Sequence, residues 1–142
     1  MAYTFKAWQN RYRHRSDIST YITHLTRETD KKTSIEVLHE ILISKTLIGS
    51  SKDKGFIIGD NSAVCFQNIP LYGVAQNTLH EQLNRKELGL KVRYQPIGLA
   101  FNKQYIFKNG GRPVFYEQKS IAKILLPKEE WWRIVSFDIT HN

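Results

Sequence analysis

Tyr21-Ile22-Thr23-His24-Leu25-Thr26-Arg27 is the stretch on which the fold turns. Its first five residues are rich in β-branched and aromatic side chains and read as a short strand carrying His24, while residues 26–32 read as a polar connection. Thr33-Ser34-Ile35-Glu36 then supplies a capping box, in which the threonine hydroxyl and the glutamate carboxylate each satisfy a free backbone N–H at a helix start. The helix that follows has Ile35, Leu38, Ile41 and Leu42 as its apolar face, with Glu36, His39 and Glu40 pointing elsewhere, and Ile48-Gly49-Ser50-Ser51 ends the segment. Such a helix is expected to pack on a sheet. Upstream, residues 1–22 read as an irregular or partly helical lead-in that Trp8, Tyr12 and Ile18 anchor, with Ser16-Asp17 capping a short turn.

Downstream the period changes. Residues 63–66, 92–94, 97–101, 105–107, 113–116 and 133–137 are short apolar or aromatic runs separated by turn formers such as Asn109-Gly110-Gly111, the pattern of sheet strands. Two helices are expected among them, over 72–87 and over 118–125, the second closed by Pro127. Helices and strands do not alternate strictly, so the class is α+β, a mixed or mainly antiparallel sheet with flanking helices. The chain has 142 residues, no internal repeat and no composition break, which predicts a single domain over 1–142.

Composition narrows the function classes. A hydrophobic fraction of 41% with charged residues at 24% is that of a folded chain and not of a disordered tail. No run approaches the roughly 18 apolar residues of a membrane span, and the N-terminal stretch is aromatic and basic without an apolar core, so a cytoplasmic protein without membrane association is expected. Cys65 is the only cysteine, which excludes an intramolecular disulfide and a cysteine-rich zinc site; between Val64 and Phe66 it reads as a buried strand thiol. The formal net charge of +8 favours polyanions, and the cations cluster at Arg11, Arg13 and Arg15, at Lys31-Lys32, and at Lys52 and Lys54. Arg11, Arg13, Arg15, Lys52 and Lys54 are therefore the candidate nucleic-acid contacts, against the plain alternative of a solvated surface. No helix-turn-helix, zinc-finger or RNA-recognition motif accompanies them.

Spacing sets aside several chemistries. His39-Glu40 and His80-Glu81 each lack a second histidine four residues on, so no zinc site and no metal is implied. Gly110-Gly111 lacks the Lys-Ser/Thr of a phosphate loop and reads as a tight turn, with Arg112 bracing it. His24 stands out by its company. Arg15-Ser16-Asp17-Ile18-Ser19, His24-Leu25-Thr26-Arg27, Val64-Cys65-Phe66-Gln67-Asn68-Ile69-Pro70-Leu71 and Arg112-Pro113-Val114-Phe115-Tyr116 together resemble the AbiGi-type abortive-infection proteins of bacteria, which look distantly like DNA-modifying ADP-ribosyltransferase toxins. The resemblance implies an ADP-ribosyltransferase-like fold and a phage-defence role, with NAD as cofactor and nucleic acid or protein as acceptor. It also implies that His24 and Thr26 hold the nicotinamide-side ribose, that Phe66 and Tyr72 lie against the ring, and that Arg27 pairs with the pyrophosphate.

Such families continue past a Trp-Arg-Ile strand into a Glu-x-Glu-Trp-like step, whose glutamate stabilises the ribosyl oxocarbenium ion. Here the sequence stops at Asn142, which reads as a C-terminally shortened domain. Glu130, in Glu129-Glu130-Trp131-Trp132-Arg133, is the candidate catalytic carboxylate beside His24, with Glu117 as a weaker one. The same residues also fit a helix-to-strand junction with its tryptophans on the core. Two functions follow. One is a transferase-like NAD- or nucleotide-binding defence protein. The other is a non-catalytic antitoxin or regulatory module whose basic surface holds nucleic acid or a toxin partner.

Overall fold

A computed structural model describes residues 4–53, 57–89 and 94–140. The chain is a mixed α/β protein with one short antiparallel and one short parallel sheet, divided into two compact units. The first is built from Met1–Thr46 and Phe66–Ile106, the second from Leu47–Cys65 and Phe107–Asn142.

In the first unit, helix α1 (Phe5–Tyr12) begins where the Thr4 hydroxyl accepts a hydrogen bond from the Ala7 N–H, so the lead-in is helical. Strand β1 (Tyr21–Leu25) follows, as its sequence predicts. Helix α2 (Ser34–Ser44) opens on the expected capping box between Thr33 and Glu36. It ends earlier than expected, at Lys45, whose left-handed φ of 53° breaks the helical hydrogen-bond ladder. Its apolar face is turned differently from the sequence reading. Val37, Leu38 and Ile41 are half-buried, Ile35 and Leu42 are exposed, and Ser34 is the one buried residue of the helix.

Helix α3 (Leu71–Leu83) covers the first part of the expected 72–87 helix. Strand β2 (Gly98–Asn102) pairs antiparallel with β1, Tyr21 opposite Asn102 and Leu25 opposite Gly98. Gly98 is a close-approach glycine. A Cβ there would lie 2.1 Å from the His24 carbonyl oxygen, so no side chain fits this register. Helix α4 (Lys103–Lys108) occupies 105–107, where a strand was expected. The reason is local: the Asn102 side chain accepts from the Gln104 N–H at 2.9 Å and caps a new helix directly after β2. The expected strand at 92–94 lies mostly outside the described residues, only Tyr94 being among them.

In the second unit, strand β3 (Phe115–Glu117) pairs in parallel with strand β4 (Ile134–Ser136). The crossover between them is helix α5 (Lys119–Leu125) and a 3₁₀ turn (Lys128–Arg133), so the pair is a small β-α-β unit. Ala122 and Ile134, at 0% and 1% exposure, form its centre. The Trp131 indole N–H donates to the Leu126 carbonyl at 3.1 Å, tying the turn to the end of α5.

The run 63–66 forms no continuous strand. Its first residue and the residue just after its end pair separately: Ala63 exchanges both backbone hydrogen bonds with Ser50 in the second unit, and Gln67 exchanges both with Thr23 in the first. A run claimed by two partners cannot keep one ladder. Cys65, expected in a buried strand, is an exposed residue, although packing around its sulfur raises the thiol pKa. The buried positions also differ between units. Ile57, Ala63, Ala122 and Ile134 are buried in the second, whereas the buried residues of the first are Val74 and the polar Thr23, Thr26, Ser34, Thr78 and Glu81.

Candidate functional site

The site is built on the first unit's sheet. Strand β1 is flanked by β2 on one side and by the Gln67 bridge on the other, a three-chain ribbon with β1 central. Side chains alternate across it. Residues next to the Thr23–Gln67 bridge therefore bring His24 and Phe66 to one face, with Phe101 of β2. The His24 and Phe66 rings stand 5.7 Å apart at 60°, and Phe66 meets Phe101 edge to face at 5.7 Å. All three are half-buried. They form an open aromatic shelf whose faces can stack against a flat heteroaromatic ring.

The opposite face carries Thr23 and Gln67. Thr23 is buried there, and the Gln67 amide oxygen accepts from the Asn77 Nδ2 of α3 at 3.3 Å. Gln67 Nε2 is buried and, among the described residues, is the buried side-chain nitrogen without a hydrogen-bond partner. An unmet buried donor is costly and rare. It marks the sheet beside His24 as incompletely satisfied.

The other sequence candidates take different places. Thr26 is buried at 2% exposure, and its hydroxyl lies 3.0 Å from the Ser34 carbonyl and 3.1 Å from the Ile97 carbonyl. Its backbone N–H also donates to Ile97 at 2.8 Å. Thr26 thus fastens the end of β1 to the first turn of α2 and to the entry of β2. Arg27 and Tyr72 are exposed, on the 26–32 connection and on the first turn of α3. Glu130 belongs to the second unit, where its carboxylate accepts from Arg133 Nη1 at 2.8 Å, and Arg133 Nε in turn donates to the Pro113 carbonyl at 3.0 Å. Glu117 accepts from the Gln118 N–H at 2.7 Å. Both carboxylates are engaged in holding their own turns. Arg112 braces its turn, donating to the Phe107 and Gly111 carbonyls with its guanidinium 4.3 Å over the Phe107 ring. Phe101 is the shelf residue that the sequence did not single out. The signal was its register within the 97–101 run, which needs the β1 partner to be read.

The basic residues fall in both units. Arg15 donates to Asp17 in a two-point ion pair, one arm at 2.9 Å, and this bond holds the Asp17 carboxyl below its ordinary range. Lys52 pairs with Asp60 at 2.9 Å, and Lys128 reaches the same carboxylate at 3.6 Å. The bond from Lys52 lowers the Asp60 pKa and raises that of Lys52. Arg11 and Arg13 are exposed, and Lys54 lies outside the described residues. The Trp8 and Tyr12 rings stand 4.5 Å apart, tilted at 50° within α1, and the Lys103 ammonium lies 5.1 Å over the Trp8 ring, so Trp8, one of the expected anchors, meets another element. Desolvation lowers the Lys103 pKa.

Two shallow concavities accompany these residues. One, of about 540 Å³, is lined in the second unit by Gln118, Lys119, Ser120, Lys123, Ser136 and Asp138. The other, of about 250 Å³, follows the connection from Glu28 to Glu36 in the first unit. Neither includes His24, Phe66 or Phe101. Among the described residues no group of three or more His, Cys, Asp or Glu is placed to hold a metal ion, and no helix is long and apolar enough to cross a membrane. No family model, curated protein or solved structure matches the chain.

Proposed function

We propose that this chain is an abortive-infection, phage-defence protein of ADP-ribosyltransferase-like fold that acts in the cytoplasm and binds NAD or a related nucleotide at the His24–Phe66–Phe101 shelf. The observation that carries the reading is the grouping of these three rings on one face of β1 and its neighbours. A nicotinamide or purine ring stacks on the shelf, and the exposed Arg27 offers charge to the phosphates. Thr26 acts as the fastener of this face and makes no ligand contact. On this reading Glu130, paired with Arg133, is a structural carboxylate and the activity is binding without turnover.

The test is calorimetric titration of NAD into the chain and its His24→Ala, Phe66→Ala and Glu130→Ala variants, with nicotinamide release followed in parallel with and without DNA or RNA. Stacking is worth about 1–3 kcal/mol per base, so either ring substitution is expected to weaken binding about ten-fold, while Glu130→Ala leaves it unchanged. Unaltered NAD affinity in both ring variants would refute the pocket. Nicotinamide release that Glu130→Ala abolishes would overturn the assignment of binding without turnover.

A second reading is a non-catalytic antitoxin or regulatory module that holds nucleic acid or a toxin. It is favoured by the exposed Lys6, Arg11 and Arg13 on and beside α1, around Trp8 and Tyr12. This reading expects polyanion affinity that falls steeply with salt and does not respond to His24→Ala.

A further inference from the structure

Helix α3 lies in the first unit with its polar side in and its apolar side out. Its buried residues are Val74, Thr78 and Glu81, at 6%, 4% and 7% exposure, and the spacing i, i+4, i+7 makes them one stripe. The opposite stripe is Tyr72, Leu79 and Leu83, spaced i, i+7, i+11 and flanked by Leu71 and Ala75. Leu71, Tyr72, Leu79 and Leu83 are 67%, 55%, 53% and 75% exposed. A helix that buries a threonine and a glutamate while exposing three leucines and a tyrosine has a face suited to contact with another helix.

Charge selects the occupant. Glu81 is the only acidic residue of α3 and it is buried, so the outer surface of the helix carries no carboxylate. Arg85 and Lys86 follow immediately and are exposed, with Glu87 the one exposed acid beside them. The unit as a whole has thirteen Lys and Arg against seven Asp and Glu. A second copy would set two such basic surfaces together. It would also have to build a dimer from the face of one helix, well short of the roughly 800 Å² per partner that stable dimers bury. An acidic amphipathic helix meets both the apolar stripe and the basic setting.

We propose that the outer face of α3 is the docking surface for an acidic amphipathic helix of a partner protein, with Leu79 and Leu83 as its anchors. This does not rest on the nucleotide reading, since neither leucine belongs to the shelf. The experiment uses the full chain and two fluorescein-labelled helical peptides with the same leucine positions, one otherwise rich in Asp and Glu, the other in Lys. Anisotropy is expected to show saturable binding of the acidic peptide, at least ten-fold tighter than the Lys peptide and weaker as salt rises. Leu79→Glu and Leu83→Glu each lower that affinity at least ten-fold, and Leu79→Ser lowers it with no added charge. Leu42→Glu, on an exposed position of α2, leaves it unchanged. Circular dichroism melts confirm that each variant folds. Equal affinity for the two peptides, absence of saturable binding, or indifference to both leucine substitutions would overturn the proposal. So would a concentration-dependent dimer in sedimentation that Leu79→Glu abolishes, because a second copy would then cover the face.

Discussion

Thr26→Val separates a structural from a ligand-binding role for the most buried polar residue among those described in the first unit. The substitution keeps the shape and removes a hydroxyl that lies 3.0 Å from the Ser34 carbonyl and 3.1 Å from the Ile97 carbonyl. A hydroxyl has one proton, so it satisfies one carbonyl well or shares itself between the two. Net loss of such a bond costs about 0.5–1.5 kcal/mol, and an unmet buried acceptor adds to it. The addition is small here. Ile97 keeps its bond from the Thr26 N–H at 2.8 Å, and Ser34 lies in the first turn of α2, where the helix ladder uses its carbonyl. The expected loss is therefore about 1–2 kcal/mol. For a chain of this size that is a fall in Tm of about 3–7 °C, with an unchanged denaturant m-value. Thr26→Ser keeps the hydroxyl and deletes one buried methyl, worth about 0.8 kcal/mol, and should be the milder change. NAD affinity stays at the wild-type level in both. A valine variant within about 0.3 kcal/mol of wild type, or one that loses nucleotide binding at full stability, would refute the reasoning.

Gly98→Ala sets a Cβ 2.1 Å from the His24 carbonyl oxygen and 2.8 Å from the Leu25 Cα, so β1 and β2 must separate by about 1 Å. A loss of about 3 kcal/mol is expected, with faster amide exchange along β1; a melt indistinguishable from wild type would sink the register assigned here. Glu36 accepts from the Thr33 N–H and hydroxyl, chiefly the former, which holds its carboxyl below the ordinary 4.5. A lowered folded pKa gives stability that is present above 4.5 and lost as the pH falls through the folded value. Melts of wild type and Glu36→Gln should therefore differ most near neutrality and converge in acid, and a gap that widens in acid would contradict this. Asp17→Asn releases Arg15 from its ion pair and should steepen the salt dependence of DNA binding by about one phosphate contact, a log–log slope of roughly 0.7–0.9. An unchanged slope would place Arg15 outside the polyanion surface.

Features governed by near neighbours were legible in the residues. The α2 capping box needs only Thr33 and Glu36, three residues apart. The end of α5 follows from Pro127, and β1 follows from five consecutive residues of strand character. The start of α4 was legible too, because Asn102 is a strong helix cap, yet the aromatic content of 105–107 outweighed it in the strand reading. The candidate site was legible in part. His24 and Phe66 were singled out through the resemblance their motifs carry, while Phe101 needs the strand pairing that sets it beside them.

Choices made between distant segments were out of reach. Thr26 reads like a polar group available to a ligand until α2 and Ile97 close over it, and its hydroxyl then serves the backbone. The run 63–66 has strand character throughout, but Ser50 pairs with its first residue and Thr23 with Gln67 just after it, so no single ladder runs along it. Helix α3 carries its period plainly, yet two stripes of that period compete for burial. The packing around Val74 takes the one with Thr78 and Glu81 and leaves Leu79 and Leu83 outside. By itself the sequence determined the locally coded boundaries, such as the α2 cap, strand β1 and the end of α5, since these depend on caps and backbone preference within a few residues. Only the tertiary structure decided which faces are buried and which side chains meet, because those follow from contacts between segments that are distant along the chain.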